Sequence, residues 1–297
     1  MIFFLKLINK IKYLFRKRLK ISSNFIYTQI SDYNYPVDLK NIIAYNDVVK
    51  NDDQQISSGQ KNLHPLFYTK ISWKIIENLN DFLKNRIDDR ILKTIVHQSE
   101  YIIFHSELKL PAKLNVQSKI WSIKAHKNGT KMLIRFDYYS DNELIATEYS
   151  GGLLFGVKYI GKSESLGEIP KTVKLNESII WQKTIDIDKL LPYKYAEKAE
   201  IDAPIHTNPK FAKAIGLPDI ILQGTCTFAK AINLLIHEKL IENYGIIQSV
   251  SAKFTGMLVP PNKITVRLLK QEKKMLLFDV LNKEEKAVIK GGQIIFY

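Results

Sequence analysis

Two rhythms of apolar and polar residues alternate along this chain. Between Leu66 and Leu83 the apolar residues Ile71, Ile75, Ile76 and Leu79 recur at three- and four-residue spacing, and Phe228, Ile232, Leu235 and Ile236 do the same between Thr225 and Asn243. That spacing places them on one face of a helix, so both segments are predicted helical, with Gly245 set to stop the second. Each helix is followed by β-branched and aromatic runs broken by turn residues. These are Lys127-Asn128-Gly129 and Ser140-Asp141-Asn142 in one case, and Gln271-Glu272-Lys273 and Asn282-Lys283-Glu284 in the other. They read as antiparallel meanders of about three strands.

Helix and meander come twice because the sequence repeats. Phe104, Pro111, Lys113 and Val116 match Phe254, Pro261, Lys263 and Val266 at a constant offset of 150. Lys131-Met132-Leu133 then answers Lys274-Met275-Leu276, and Phe136-Asp137 answers Phe278-Asp279. Gly151-Gly152 with Phe155 answers Gly291-Gly292 with Phe296, as the offset shrinks toward 140. Ordered matches over such a span mark a duplication. The fold class expected is α+β, with two antiparallel sheets, each wrapping a long central helix. The boundaries expected are an N-terminal helix over 1–31, one repeat over 32–160, a linker over 161–190 through Gly161, Gly167 and Pro170, and a second repeat over 191–297.

Charge changes the picture at one end only. The chain of 297 residues carries +14 with a pI near 9.5, a balance that favours a polyanionic partner. Lys6, Lys10, Lys12, Arg16, Lys17, Arg18 and Lys20 precede the first acid, Asp32, and account for half of that excess. They interleave with Phe4, Leu7, Ile11 and Leu14 at helical spacing, which describes a basic amphipathic helix too short and too charged to span a bilayer. Three readings stay open: a helix packed on the protein body, an anchor on an anionic membrane surface through residues 1–20, and a mitochondrial presequence. Elsewhere the lysines are scattered without a recognised motif, so no nucleic-acid partner is expected.

A single cysteine, Cys226, excludes an internal disulfide and a cysteine-rich zinc site and points to a reducing, cytoplasmic compartment. It stands where a helix N-terminus would stabilise a thiolate, but with no adjacent base it reads as small core packing. His64, His97, His105, His126 and His237 lack metal-site spacing, and no metal or cofactor is expected.

The candidate chemistry is concentrated in Asp202-Ala203-Pro204-Ile205-His206-Thr207-Asn208-Pro209, Phe211-Ala212-Lys213 and Leu217-Pro218-Asp219-Ile220-Ile221-Leu222-Gln223-Gly224. Asn208 suits an N-cap and Pro209 a first helical position, so Phe211 to Ile215 should form a short helix that Gly216 ends. His206 is thereby held on a polar loop before a rigid element. Gly224 opens the long helix, where unpaired amides and the helix dipole favour a developing oxyanion and the missing Cβ lets a ligand carbonyl approach. A histidine beside an oxyanion site suits the addition of water to an enoyl thioester.

These residues resemble the MaoC-like dehydratases, which include the (R)-specific enoyl-CoA hydratases, and the duplicated plan looks like their double hotdog form. The family signature runs Gly-Asp-x-Asn-Pro-(Leu or Ile)-His, Pro-x-Phe-Ala, Gly-(Phe or Leu), and a His-Gly opening the central helix. Pro204-Ile205-His206, Pro209-Lys210-Phe211-Ala212, Gly216-Leu217 and Gln223-Gly224 stand in that order here. The family aspartate position is Ile201, with Asp202 one residue nearer the histidine; the preceding glycine is Glu200, the asparagine Ala203, and Gln223 replaces the second histidine.

The resemblance implies that His206 and Asp202 activate water for attack at the β-carbon while Gly224, with Gln223, holds the thioester oxygen. It also implies an acyl-CoA or acyl carrier protein substrate, a possible homodimer, and a first repeat that has lost catalysis and helps accommodate the acyl chain. No Pro-x-His loop occurs in Tyr45 to Leu63, in keeping with that division. The alternatives are an acyl-thioester-binding protein with little turnover, motivated by Ile201 and Ala203, and a thioesterase, for which only Glu238 and Glu242 lie far along the central helix.

Overall fold

Each half is organised by a helix that is buried on nearly every side. The computed structural model describes residues 19–22, 26, 29–51, 63–83, 87–170 and 178–297. The first half comprises β1 (Lys20–Ser22), β2 (Gln29–Val37), α1 (Leu39–Val49), a 3-10 turn at Pro65–Phe67 leading into the central α2 (Tyr68–Glu77), and the short α3 (Leu79–Phe82) and α4 (Asp89–Leu92). Its long strands are β3 (Ile95–Phe104), β4 (Ala112–His126), β5 (Gly129–Ser140) and β6 (Glu143–Phe155), followed by β7 (Lys158–Ile160) and β8 (Glu164–Ser165). The second half comprises β9 (Trp181–Ile187), α5 (Leu191–Ala199), α6 (Pro204–Thr207), α7 (Pro209–Ala214), the central α8 (Gly224–His237), β10 (Ile247–Phe254), β11 (Asn262–Glu272), β12 (Met275–Asn282) and β13 (Ala287–Phe296).

The sheet order displays the duplication. The strands run β2-β4-β5-β6-β3-β10-β13-β12-β11-β9, so the second half mirrors the first strand for strand. The two expected sheets are present and join through the antiparallel β3–β10 pair, with Val250 opposite Ile102, into one continuous sheet. Apolar residues of both half-sheets and both central helices share one core cluster.

Hydrogen bonds between matching elements help tie the halves across this axis. The Tyr45 and Tyr195 hydroxyls, 150 residues apart, lie 3.2 Å from each other. Lys70, buried on α2, donates to the Lys198 carbonyl of α5 at 3.0 Å, and Lys230, buried on α8, donates to the Lys50 carbonyl after α1 at 2.6 Å. Each central helix thus sets a cation on the C-terminal carbonyls of the other half's helix, where the helix dipole favours positive charge.

Several expectations need correction. The helix expected over 1–31 cannot include its C-terminal part, because Lys20–Ser22 is a strand and Gln29 opens β2; residues 1–18, with the proposed membrane-facing stretch, lie outside the described ones. The expected linker over 161–190 contains β9, which pairs along β11 from Asn262 to Leu268 and belongs to the second half's sheet. The central α8 stops at His237, well before Gly245, because Lys239 takes a left-handed conformation (φ 58°) and Leu240 turns back to bond the Leu235 carbonyl.

The pairing registers sustain most of the repeat and revise one match. Val116 pairs with Tyr138 and Val266 with Val280, which keeps Phe136 equivalent to Phe278. Phe136, however, faces Glu148, whereas Phe278 faces Gly292. Gly292 therefore occupies the place of Glu148, and the Gly151-Gly152 to Gly291-Gly292 match is out of register. The peptide bonds before Pro111 and Pro261 are both cis.

Candidate active site

The loop carrying His206 is built as the sequence chemistry suggests, with one extra turn. Pro204 starts α6, so His206 sits on a single helical turn rather than on an open loop. Asn208 caps α7 by accepting from the Phe211 amide at 3.0 Å, and Gly216 (φ 98°) ends it. Ala212, Leu217, Ile220 and Ile221 pack into a separate small apolar cluster with Ile205 and Ile215, which fixes this frame against the strand-like run entering α8.

His206 is joined to that run directly. Its Nδ1 lies 2.7 Å from the Ile221 carbonyl oxygen, and the Ile221 amide bonds back to the Ile205 carbonyl at 3.1 Å. A carbonyl can only accept, so Nδ1 carries the proton and Nε2 is left as the basic nitrogen. Burial pushes the imidazole down to about 4, against the raising effects of the Ile221 carbonyl and the Asp202 charge. His206 is therefore neutral at physiological pH and is set to accept a proton.

The helix beyond begins with Gly224, Thr225 and Cys226, whose amides have no intrahelical acceptors. A Cβ on Gly224 would lie 2.9 Å from the Phe254 ring, so this glycine also makes room for an aromatic side chain of β10. Gln223, buried at the N-cap, donates to the carbonyls of Pro192 and Ile201 at 3.2 and 3.5 Å, while its Oε1 lacks a partner among the described residues. It thereby ties the helix start to the segment before His206. Cys226 is core packing: it is fully buried, and burial pushes its thiol up to about 12.

The two candidate acid positions separate. Ile201, in the family aspartate's place, is buried, while Asp202 is exposed and accepts from the Thr207 hydroxyl at 2.7 Å. No Asp202–His206 hydrogen bond forms among the described residues; Asp202 reaches the imidazole only as a nearby charge. Glu200, where the family has glycine, adopts the left-handed conformation (φ 53°) that glycine favours. Its carboxylate is held by Lys70 at 2.8 Å and Lys74 at 3.2 Å, both from α2. Burial would raise that carboxyl, but the two lysines outweigh burial and hold it below the usual range.

Sequence reasoning did not anticipate the first half's share of this region. Trp73 of α2 packs on His97 of β3 at 5.5 Å between ring centroids, and His97 packs on Phe254 at 4.7 Å. Glu77, at the end of α2, has its carboxyl pushed up by desolvation, with the Asp202 charge adding and Lys74 and Trp73 opposing. Only Phe254 carried a sequence signal, as the repeat partner of Phe104; the others reach the site through sheet pairing. Among the described residues no cluster of three metal-ligating side chains occurs.

Two mirrored half-sheets around central helices, with a buried histidine tied to one helix N-terminus, define a double hotdog protein of α+β class. Residues 195–290 match the family described as MaoC like domain. It resembles the solved structure of a MaoC-like dehydratase from Phytophthora capsici, with a TM-score of 0.79 and 15% identity over 93% of this chain and 98% of that one. Among curated proteins it is 22% identical to the peroxisomal multifunctional enzyme type 2 of Drosophila melanogaster over 67% of this chain and 34% of that protein. It is 28% identical to an enoyl-CoA hydratase of Mycobacterium tuberculosis over 30% of this chain and 31% of that protein. The matches thus span about a third of the length of these curated relatives.

Proposed function

We propose that the protein is a hydratase or dehydratase of enoyl or 3-hydroxyacyl thioesters, carried by coenzyme A or acyl carrier protein, with (R) stereochemistry at the hydroxyl carbon. The observation that carries this reading is the hydrogen bond from His206 Nδ1 to the Ile221 carbonyl, which fixes the tautomer and places the ring beside the chain entering α8. In hydration, Nε2 takes a proton from water as the oxygen attacks the β-carbon. Negative charge spreads to the thioester oxygen, where the Gly224 amide and the dipole of α8 stabilise it, until the α-carbon takes the proton from Nε2 and His206 is neutral again. Asp202 acts as a charge favouring protonated His206, and Gln223 holds the helix start in place.

This reading includes a cytoplasmic location and an optional homodimer. No helix among the described residues is long and apolar enough to cross a membrane. The separation of Asp202 from His206 favours one second reading, an acyl-thioester-binding protein with little turnover. Hydration of crotonyl-CoA, followed by loss of the conjugated enoyl absorbance, separates the two. Turnover is expected, and His206→Ala should lower kcat by about 10²- to 10⁴-fold. Binding without turnover would establish the second reading, and an unchanged rate in His206→Ala would reject the mechanism.

A further inference from the structure

The space beyond Gly224 is closed by groups that no acyl-thioester site requires. The Phe254 ring crowds the position of the missing Cβ, at 2.9 to 3.3 Å, and packs on the His97 ring as well as on the main core. Beyond His97, between α2 and the first half-sheet, lies a small, mostly apolar cavity whose lining includes Trp73, Ile76, Ile95, His97, Met132 and Ile134. Its volume is about 10 Å³, room for one water at most.

Two buried acids lie near His97, Glu100 in direct contact and Glu148 as a neighbouring charge. Glu148 accepts from the Ser72 hydroxyl at 2.6 Å and from the Tyr138 hydroxyl at 2.5 Å. His97 Nε2 lies 3.0 Å from a Glu100 oxygen, but that nitrogen is directed to the Ser99 carbonyl and the Ser150 hydroxyl, both at 3.1 Å, and neither Glu100 oxygen has a hydrogen-bond partner among the described residues. A methylene chain entering here would have to displace the Phe254–His97 stack and would find room for no more than one water behind it.

Resting on the thioester reading above, we infer that Phe254, stacked on His97 over this carboxyl cluster, ends the acyl pocket and restricts the substrate to short acyl groups of the crotonyl class. Each methylene beyond that length meets filled space, because the cavity past His97 has room for one water at most, so the gain from burying it is not realised.

The test is a series of 2-enoyl-CoA substrates from four to twelve carbons, with wild type, Phe254→Ala and the better-packed Phe254→Leu. In wild type, kcat/KM should fall about tenfold or more between four and eight carbons. Both variants should raise the eight-carbon to four-carbon ratio, Phe254→Ala more. A wild-type profile that is flat or rises with length overturns the inference and leaves the hydratase reading standing. If no substrate is turned over, calorimetric binding of butyryl-, octanoyl- and dodecanoyl-CoA decides: tightest binding of butyryl-CoA supports the length limit, and tighter binding of the longer chains, or none at all, overturns it.

Discussion

The two halves share one backbone plan and fill it with opposite chemistry. The first half places Glu100, Tyr138 and Glu148 in its interior, and the second places Val250, Val280 and Gly292 at the equivalent positions. Where Ser72 of α2 bonds Glu148, the second half stacks Phe228 of α8 against Phe278, and Gly292 leaves room for the Phe278 ring, 2.7 Å from where its Cβ would stand. At these positions a close-packed aromatic and aliphatic core supports the helix whose entering chain is bonded to His206. The polar core lies in the half without that motif. Duplication therefore left one copy free to accept a cost that the other would not tolerate, since burying a carboxyl group without full hydrogen bonding is unfavourable.

Exchanging these residues should break the comparison. Val250→Glu, at a fully buried site, should destabilise the fold by about 3–5 kcal/mol in urea unfolding at neutral pH. The reciprocal Glu100→Val should stabilise it by about 1–3 kcal/mol. Burial pushes the Glu100 carboxyl well up, so the folded state holds its proton at pH values where the unfolded chain has lost it. That contribution is fully present below the ordinary carboxylate range and is lost as pH rises through the folded pKa. Wild type should therefore lose unfolding midpoint as pH rises above that range, and Glu100→Val should lose less.

Lys70→Met and Lys230→Met probe what the halves have in common. Each variant removes a buried cation from the other half's helix end, and each should cost about 1–2 kcal/mol. Lys70→Met should cost more, because it also removes one of the two lysine partners of Glu200. A clear difference in the opposite order would show that the Glu200 contact contributes nothing.

The smallest effect expected is a flat pH–rate profile. With His206 held at about 4, kcat/KM should change less than about twofold between pH 8 and pH 5 and then fall. An imidazole at its ordinary value would have lost roughly thirty-fold by pH 5. The same shift makes His206 contribute stability above its unfolded value, which is lost as pH falls from near 6.5 through 4.

Much of this was legible in the chain, for identifiable reasons. Apolar spacing located both central helices, and the Phe104 and Phe254 repeat located the strands that later meet. The glycine match failed because register shifts in β10 and between β12 and β13 move residues past their partners, and such bulges leave no fixed sequence mark. The alternation of Ile201 inward and Asp202 outward follows from a single-residue shift in an extended segment, which is why the departure from the family pattern carried real information. Glu200 was opaque: its left-handed backbone is inherited from a glycine position, while its ion pairs come from a helix more than a hundred residues away. Trp73 and His97 were equally hidden, since only the folded sheet brings them toward Phe254.

The crossed lysines have one more consequence. Because Lys70 and Lys230 each complete a helix end in the opposite repeat, neither repeat is self-sufficient, and each serves as the template on which the other is finished. A chain severed between the repeats would keep both lysine bonds, so the two fragments are expected to associate and to protect each other's helix ends.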